Sequence, residues 1–377
     1  MRKETGGREL EKILGEWREN YYKASAANGE VYTSDFNIFS SSYVRASTAE
    51  RIINGGKKII YTAAVAAMLN ANINQYAYGF TSNVPDGATS VVNDEIISSG
   101  AQHIRSGGTA NNTTLITSGI QYISSGGVAM NTKVNLSSYQ AVYNGGIANY
   151  TEINSGGVQY VSSGGLTNSA IILGGSQFVH RGGLANKTII SGGSQRISSG
   201  GTANGTVISN GGIQNISSGG VANNTEVNSG GGQYLYASAV ANDTTINSGG
   251  SQMIAGWGVA NGAIISGGGQ YVYSSGSAVD TINRGGEVLL LTDGILSNYR
   301  GEGGVVNVYS DNTLKGQTVL TANAALNFGA SGQQNVMVEN LSSDKGIFKL
   351  KADLETHTGD KLSVMSSYDG SALISLK

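Results

Sequence analysis

Apolar and polar residues alternate along the middle of the chain in a pattern that repeats every 18 or 19 residues. Each unit reads Q-x-[IV]-x-S-G-G-x-A-N-x-T-x-[IV]-x-S-G-G with few departures. Self-similarity at such a period is typical of a solenoid, in which one repeat forms one supersecondary unit. The repeating glutamines are Gln102, Gln121, Gln140, Gln159, Gln177, Gln195, Gln214, Gln233, Gln252 and Gln270.

The parity of each column predicts which side chains face the interior. The position two residues after every glutamine is aliphatic, whereas the position between them varies from His103 to Arg196. Because side chains alternate between the two faces of a strand, the aliphatic column is predicted to point inward and the variable column outward. A second strand shows the same alternation, and its Thr113 and Leu115 are predicted to face inward. By the same parity, we expect the asparagine column that begins at Asn111 to face inward.

Glycine pairs separate the strands and supply turns with positive φ. The shorter units lose their residue between the second strand and the next glutamine, where a turn tolerates a change of length. Each unit is therefore interpreted as strand, turn, strand, turn. The prediction is an all-β, right-handed parallel β-helix (β-solenoid) of about ten rungs of 18–19 residues, with a rung spacing of ~4.8 Å.

The stacked glutamines have a structural interpretation as an amide ladder that bonds from rung to rung. A ligand-binding role for the same amides is the alternative, and the sequence leaves it open.

The two ends of the chain differ from the repeats. Residues 8–22 carry apolar side chains at helical spacing and predict a short amphipathic helix, either a surface helix or a targeting element. Lys57 and Lys58 precede an apolar run over 59–69. That run is either a displaced secretory signal, with small-residue cleavage points near Ala71 or Ala77, or an apolar helix that caps the solenoid.

The remaining C-terminal residues lose the period but keep strand-like segments, which predict irregular rungs and an end cap, because an open solenoid end exposes unpaired edges. The segments lie at 288–291, 305–309, 317–320, 347–351, 362–365 and 372–376.

The predicted domain organisation has four parts. They are a charged N-terminal extension with the amphipathic helix (1–56), the signal-like segment or helical cap (57–80), the β-solenoid repeats (87–290), and the irregular rungs with the C-terminal cap (291–377).

Composition and charge exclude several classes of function. The chain has no cysteine, which excludes disulfides, zinc–thiolate sites and thiol nucleophiles. Residues 1–58 hold 18 of the 48 charged side chains, whereas residues 96–286 hold only ten. The formal net charge of −2 offers no basic field for nucleic acid. The three histidines are scattered, so neither a metal nor another cofactor is predicted.

The repeat, as it stands over 211–231, resembles the repeats of AIDA-type autotransporter adhesins, which belong with antigen 43 among the self-associating autotransporters of Gram-negative bacteria. The resemblance is strong over about 87–290. It continues through 359–364 and 370–373, which look like the end of pertactin-like passenger domains. It implies a passenger domain at the cell surface, in the outer membrane or secreted, that mediates adhesion, autoaggregation and biofilm formation.

The resemblance also implies partners: like rods, host or bacterial surface receptors, and an autotransporter heptosyltransferase. Such an enzyme would attach heptose to serines of the repeat. The alternative is that these serines only form the turn and carry no sugar. The candidates in the Ser-Ser-Gly turns are Ser124, Ser125, Ser162, Ser163, Ser198, Ser199, Ser217 and Ser218.

The chain departs from the family pattern at both ends. No translocator barrel follows Lys377 and the signal is displaced, so a fragment without independent activity, a split gene and a passenger-only relative all stay open.

A β-helix carbohydrate-active enzyme, either a lyase or a glycosidase, is the competing class, and it requires clustered carboxylates. The regular rungs carry four acids, Glu152, Glu226, Asp243 and Asp280. Glu152 and Glu226 share a column but lie four rungs apart, roughly 19 Å. This spacing favours a rod without a catalytic residue, in which many weak polar contacts raise avidity.

Overall fold

The computed structural model describes residues 49–53, 57–61, 75–78, 81–83, 90–321, 323–329, 332–353, 355 and 358–376. The chain divides into two compact units, Met1–Ile73 and Asn74–Lys377. Every regular element in these described ranges is a β-strand, and among them there is no helix that could cross a membrane.

In the first unit, strands Ala49–Ile53 and Lys57–Tyr61 form an antiparallel pair. The helical interpretation of the apolar run is therefore wrong at its beginning, since Lys57–Tyr61 is extended. Residues 62–74, which hold the rest of that run, and the amphipathic helix predicted over 8–22 lie outside the described residues.

The second unit is a parallel β-solenoid of about 13 turns, which confirms the predicted fold class. A regular turn contains three strands, and each strand pairs in parallel with its equivalents in the turns before and after. Each glutamine strand, for example, aligns its glutamine with that of the next turn, as Gln121 does with Gln140. The turns add to a length of roughly 60 Å at ~4.8 Å per turn.

The three strands of a turn define three faces. The first face carries the glutamine strands: Thr81–Asn83, Ala101–Ile104, Ile120–Ile123, Tyr139–Val142, Val158–Val161, Ser176–His180, Ser194–Ser198, Ile213–Ile216, Gly232–Leu235, Ser251–Ile254, Gly269–Val272 and Ala325–Phe328. The second face carries the strands that end in the asparagine column: Val91–Asn93, Thr109–Asn111, Val128–Met130, Ile147–Asn149, Leu166–Asn168, Leu184–Asn186, Thr202–Asn204, Val221–Asn223, Val240–Asn242, Val259–Asn261, Ser277–Val279 and Ile295–Ser297. The third face carries the strands after each threonine: Gln75–Tyr78, Glu95–Ser98, Thr114–Ile116, Lys133–Val134, Glu152–Ile153, Ile171–Ile172, Ile189–Ser191, Val207–Ser209, Glu226–Val227, Thr245–Asn247 and Ile264–Ser266.

Longer strands follow the last regular turn and continue around the corners. They are Ile282–Leu290, Arg300–Val308, Thr313–Thr321, Asn335–Leu350 and Lys361–Leu376. A short antiparallel pair, Ala352–Asp353 and Thr358–Gly359, projects between the last two. The strand segments predicted beyond residue 287 all fall on the five longer strands, apart from a few terminal residues, whereas Ala325–Phe328 was not predicted.

The expectation of two strands per unit is wrong, because the segment between the glycine pairs bends once more. The residue that follows each asparagine of the second face has a positive φ, as at Asn112 (φ 55), Asn224 (φ 53) and Asp243 (φ 55). This left-handed residue makes a corner and resets the parity of the strand. Alanine therefore faces inward and asparagine outward, so the predicted inward asparagine column is wrong.

The interior is a set of aligned aliphatic columns. One column of the first face includes Ile104, Ile197 and Val272, and one column of the third face includes Leu115 and Ile208; all of these side chains are fully or almost fully buried. The second face contributes a column of small residues, Ala110, Ala129, Ala148, Thr167, Ala185, Ala203, Ala222, Ala241, Ala260 and Ala278. No turn could bury these faces alone, so stacking is the source of stability.

Glycine is required where one turn lies closely on the next. At Gly127, a Cβ atom would lie 2.4 Å from the backbone oxygen of Ile104 in the preceding turn. The residue before it, Gly126, has φ +79 and lies at the exposed corner. The glycine pair therefore combines a left-handed corner with a close backbone approach, which explains why the pair recurs.

The last strand, Lys361–Leu376, pairs with Asn335–Leu350 and forms the final described turn. Its apolar residues Leu373, Ile374 and Leu376 are 57%, 69% and 65% exposed. Ile374 continues the column of the buried Phe348. Within the described residues this end of the core is uncovered, and the C-terminal cap predicted within 291–377 stays a prediction.

We expect Ile197→Asp to destabilise the solenoid by about 3–5 kcal/mol, because it places an unpaired carboxylate in a fully buried column. The measurement is chemical denaturation followed by circular dichroism. Arg196→Ala is the matched control, since Arg196 is the exposed neighbour on the same strand. Equal stability of Ile197→Asp and wild type would contradict the inward assignment.

Candidate adhesive surface of the repeats

The ten glutamines form a continuous buried ladder. From Gln121 to Gln270, each Nε2 donates to the Oε1 of the glutamine one turn earlier, over 2.5–2.9 Å. All ten side chains are fully buried. Gln102, the first, donates to Glu95. The ladder thus lies inside the solenoid, where it satisfies its own amides and leaves little room for a ligand role.

Threonine supplies the second partner of most ladder oxygens. The hydroxyl of Thr132 donates to Oε1 of Gln121 over 3.0 Å, and Thr206 donates to Gln195 over 3.3 Å. Ala170 replaces threonine beside Gln159, and there Gln159 donates instead to Thr167 over 3.3 Å. Each amide oxygen can accept two hydrogen bonds, so glutamine and threonine together satisfy a polar stripe inside an apolar core.

A second amide ladder runs along the outside of the second face. Asn168 donates to Asn149, and this pattern continues turn by turn to Asn261, over 2.8–3.1 Å. These side chains are partly exposed. The sequence pattern indicated this column but predicted that it faces inward, because the residue at the following corner varies from Asn112 to Tyr150 and Gly205 and gives no consistent turn signature.

The serine turns form one exposed corner between the first and second faces. Ser125, Ser163, Ser199 and Ser218 lie in one column, are exposed, and have φ between 47 and 50. The backbone of this corner bonds from turn to turn, as in Ser199 N–H to the Ser218 carbonyl over 2.9 Å. The preceding serines of each pair, Ser124, Ser162, Ser198 and Ser217, are half-buried.

Aromatic side chains form a stripe along the outside of the first face. His103 stacks on Tyr122 with ring centroids 4.9 Å apart, and Tyr160 stacks on Phe178 at 5.3 Å. Tyr139 connects the two pairs by edge contacts and by a 2.6 Å hydrogen bond between its hydroxyl and that of Tyr122.

Burial, followed by the hydrogen bond to Tyr122, raises the pKa of Tyr139 to about 12, so its phenol stays protonated at neutral pH. Arg196 continues the stripe, with its guanidinium 5.4 Å from the Phe178 ring centre. The variable column of the sequence pattern contains only part of this stripe. Tyr139 lies outside that column, because it precedes its glutamine whereas the variable residue follows it.

The acids of the regular turns are dispersed over the surface. Four successive pairings separate Glu152 from Glu226 on the third face. Each accepts a hydrogen bond from an asparagine amide, Asn154 or Asn247. Glu226 and Asp243 line one shallow depression. No group of three or more metal-ligating side chains occurs among the residues that the structure describes.

The surface is therefore a polar, weakly charged and periodic one, built on a parallel β-solenoid stalk. The family described as "Adhesin of bacterial autotransporter system, probable stalk" (AIDA) matches residues 216–269. No curated protein sequence matches the chain.

A solved structure extends the likeness beyond the matched residues. The crystal structure of a TibC-catalysed hyperglycosylated TibA fragment is similar with a TM-score of 0.55 and 29% identity. The alignment covers 78% of this chain and 100% of that one. The chain is thus similar to AIDA adhesin stalks over residues 216–269, and to the TibA fragment in fold over most of its length.

We expect Gln195→Leu to destabilise the solenoid by about 2–4 kcal/mol, because the amides of Gln177 and Gln214 lose their shared partner in the dry interior. Asn204→Leu is the control. It interrupts the outer ladder, where water can replace the lost bonds, and we expect a change below about 1 kcal/mol. Denaturant titration measures both, and equal losses would contradict the distinction between the ladders.

Proposed function

We propose that the chain acts as a non-enzymatic adhesin at the surface of a Gram-negative bacterium, either outer-membrane-attached or secreted, and that its solenoid associates side by side with the solenoids of other copies. Surface receptors are its other partners, and adhesion, autoaggregation and biofilm formation are the resulting activities. The observation that carries the proposal is the regular stalk with ten aligned turns of polar side chains. The match to AIDA stalks and to TibA supports it.

Periodicity explains how a surface without a strong site can hold two rods together. Equivalent side chains recur at each turn, ~4.8 Å apart, so one favourable register brings many weak hydrogen bonds into place at once. The regular turns carry few charges, which limits repulsion between identical surfaces. The dispersed acids favour this interpretation over a lyase or glycosidase, which needs convergent carboxylates.

The exposed serine corner is the surface where we expect such contacts. We predict that replacing Ser125, Ser163, Ser199 and Ser218 together by aspartate abolishes settling of cells that display the chain, because like charges would face each other between rods. The measurement is the rate of cell settling. The quadruple Ser→Asn variant is the control, since Asn144 already occupies the same column with φ 48, and it should settle like wild type.

Settling by the aspartate variant at the wild-type rate, with equal surface display, would rule out contacts at this corner. Circular dichroism checks that both variants fold, which we expect because aspartate and asparagine tolerate a left-handed conformation. High salt should partly restore settling of the aspartate variant, since the repulsion between exposed charges is screened.

We also propose that a heptosyltransferase modifies the serine turns, by analogy with the TibA fragment, which was hyperglycosylated by TibC. Co-expression with TibC should increase the intact mass of the chain by whole heptose units. Replacing the eight candidate serines by alanine should remove most of this increase; Ala237 already occupies the exposed corner with φ 46. An unchanged increase in that variant would exclude these serines as the main acceptors.

A further inference from the structure

A groove of about 750 Å³ lies at the corner between the third and first faces, in the C-terminal part of the solenoid. Its floor follows one outward column through six successive turns, formed by Ser251, Gly269, Glu287, Val305, Ala325 and Ile347. The groove therefore runs across the strands, parallel to the solenoid axis, for roughly 24 Å. It is open to solvent along this length rather than enclosed.

Glycine forms the corner beside the groove, as it does in the earlier turns. Gly250, Gly268, Gly286 and Gly304 line it in successive turns. A Cβ atom at Gly286 would lie 2.2 Å from the backbone oxygen of Gly268. A side chain at this position would clash with the backbone of the preceding turn. The corner therefore carries no side chain that projects beside the first face.

A buried asparagine supports the floor from below. Asn283 occupies the aliphatic column of the third face, and its Oδ1 accepts hydrogen bonds from the N–H groups of Gly285 and Gly286 over 3.1 and 2.8 Å. Its Nδ2 donates to the Gly286 carbonyl over 3.0 Å. These bonds fix the corner in shape before any ligand arrives.

Tyr271 provides a flat aromatic surface in the groove. The end of its ring lies over Gly269, where a Cβ atom would be 2.6 Å from the tyrosine oxygen. Gly269 is consequently buried beneath the ring. The ring lies along the sheet and lines the groove. Burial, followed by the charge of Glu287, raises the pKa of Tyr271, so its hydroxyl remains a donor.

Polar groups line the groove at increasing distance from this ring, with Lys349 four turns away, roughly 19 Å. Glu287, in the turn after Gly269, accepts a hydrogen bond from Asn307. Asn323 and Lys349 line the far part of the groove. The lining thus contains one carboxylate and one ammonium group, which balance, and it offers both donors and acceptors.

We propose that this groove binds a linear, uncharged oligosaccharide, with one sugar ring stacked on Tyr271 and bonded to Glu287, and with later rings bonded to Asn323 and Lys349, about three and four turns along. A pyranose has an apolar face and a rim of hydroxyls, which matches an aromatic side chain with a carboxylate in the next turn. The balanced charge of the lining disfavours a polyanion.

An extended peptide is the less suitable occupant. It would have to pair with a free strand edge, but the strands that cross the groove bond to their neighbouring turns, as Gly269 N–H does to Gly250 and Glu287 N–H does to Gly268. The proposal goes beyond rod-to-rod association, because the groove lies away from the serine corner and needs one copy only.

The chain supplies a matched control within the same column. Tyr234 occupies the position of Tyr271 two turns earlier, and its ring covers Gly232 in the same way, with a Cβ–oxygen distance of 2.9 Å. Tyr234 does not line the groove. Each ring covers a glycine in the same way, so we expect removal of either ring to destabilise the fold to a similar extent. A difference in ligand binding between the two variants therefore reflects the position of Tyr271 in the groove.

The test is isothermal titration calorimetry of the full chain with cellohexaose, laminarihexaose and maltohexaose. We expect at least one of these to bind with a Kd below about 1 mM. Tyr271→Ala should weaken that binding about tenfold, Tyr271→Phe should largely preserve it, and Tyr234→Ala should change it less than about twofold.

Three results would overturn the proposal: no binding of any neutral hexaose, equal losses in the Tyr271→Ala and Tyr234→Ala variants, or binding of a heparin hexasaccharide alone. Cell settling by Tyr271→Ala should equal that of wild type. The glycan site and the proposed self-association can therefore fail independently.

Discussion

The structure depends on hydrogen bonding between equivalent residues of successive turns. Each turn leaves its strand edges and half of its glutamine and threonine groups without partners, and the next turn supplies them in register. The apolar columns require the same stacking, because a single turn has no interior. The contacts that order a single turn are thus the same contacts that hold the stack together. A defect in one column therefore affects the turns on both sides of it.

Glutamine in the core illustrates how this constraint selects residues. A buried amide is costly when isolated, yet here every ladder donor from Gln121 onward has an identical acceptor one turn away. An aliphatic residue could fill the same space. The amide, however, disfavours a slip of one turn against the next, since a slipped register would leave buried donors unpaired. Where the ladder ends at Gln270, its column continues with Val288, Val306 and Leu326, and the turns become irregular in length.

The repeat period made the solenoid, the buried glutamine column and the aliphatic columns predictable, because identical residues at a fixed spacing have only one way to stack. The number of faces was not predictable by parity, which assumes that a strand stays straight. At Asn112 and its equivalents the backbone takes a positive φ, and this one residue turns the strand and reverses the orientation of what precedes it. The residue at this corner varies from Asn112 to Tyr150, Lys187 and Gly205, so no single residue type marks it.

The groove could not be found in the sequence for a different reason. It follows an outward column that carries Ser251 and Gly269, but the same column also carries small residues in earlier turns, such as Ser194 and Gly232. A small residue at this position therefore does not mark the groove, and the repeat stays undisturbed because the position faces outward. A solenoid can therefore vary its outer columns while its interior keeps the turns in register. Regular polar turns favour association with copies of the same surface, whereas a local loss of side chains creates a concave site for a different ligand.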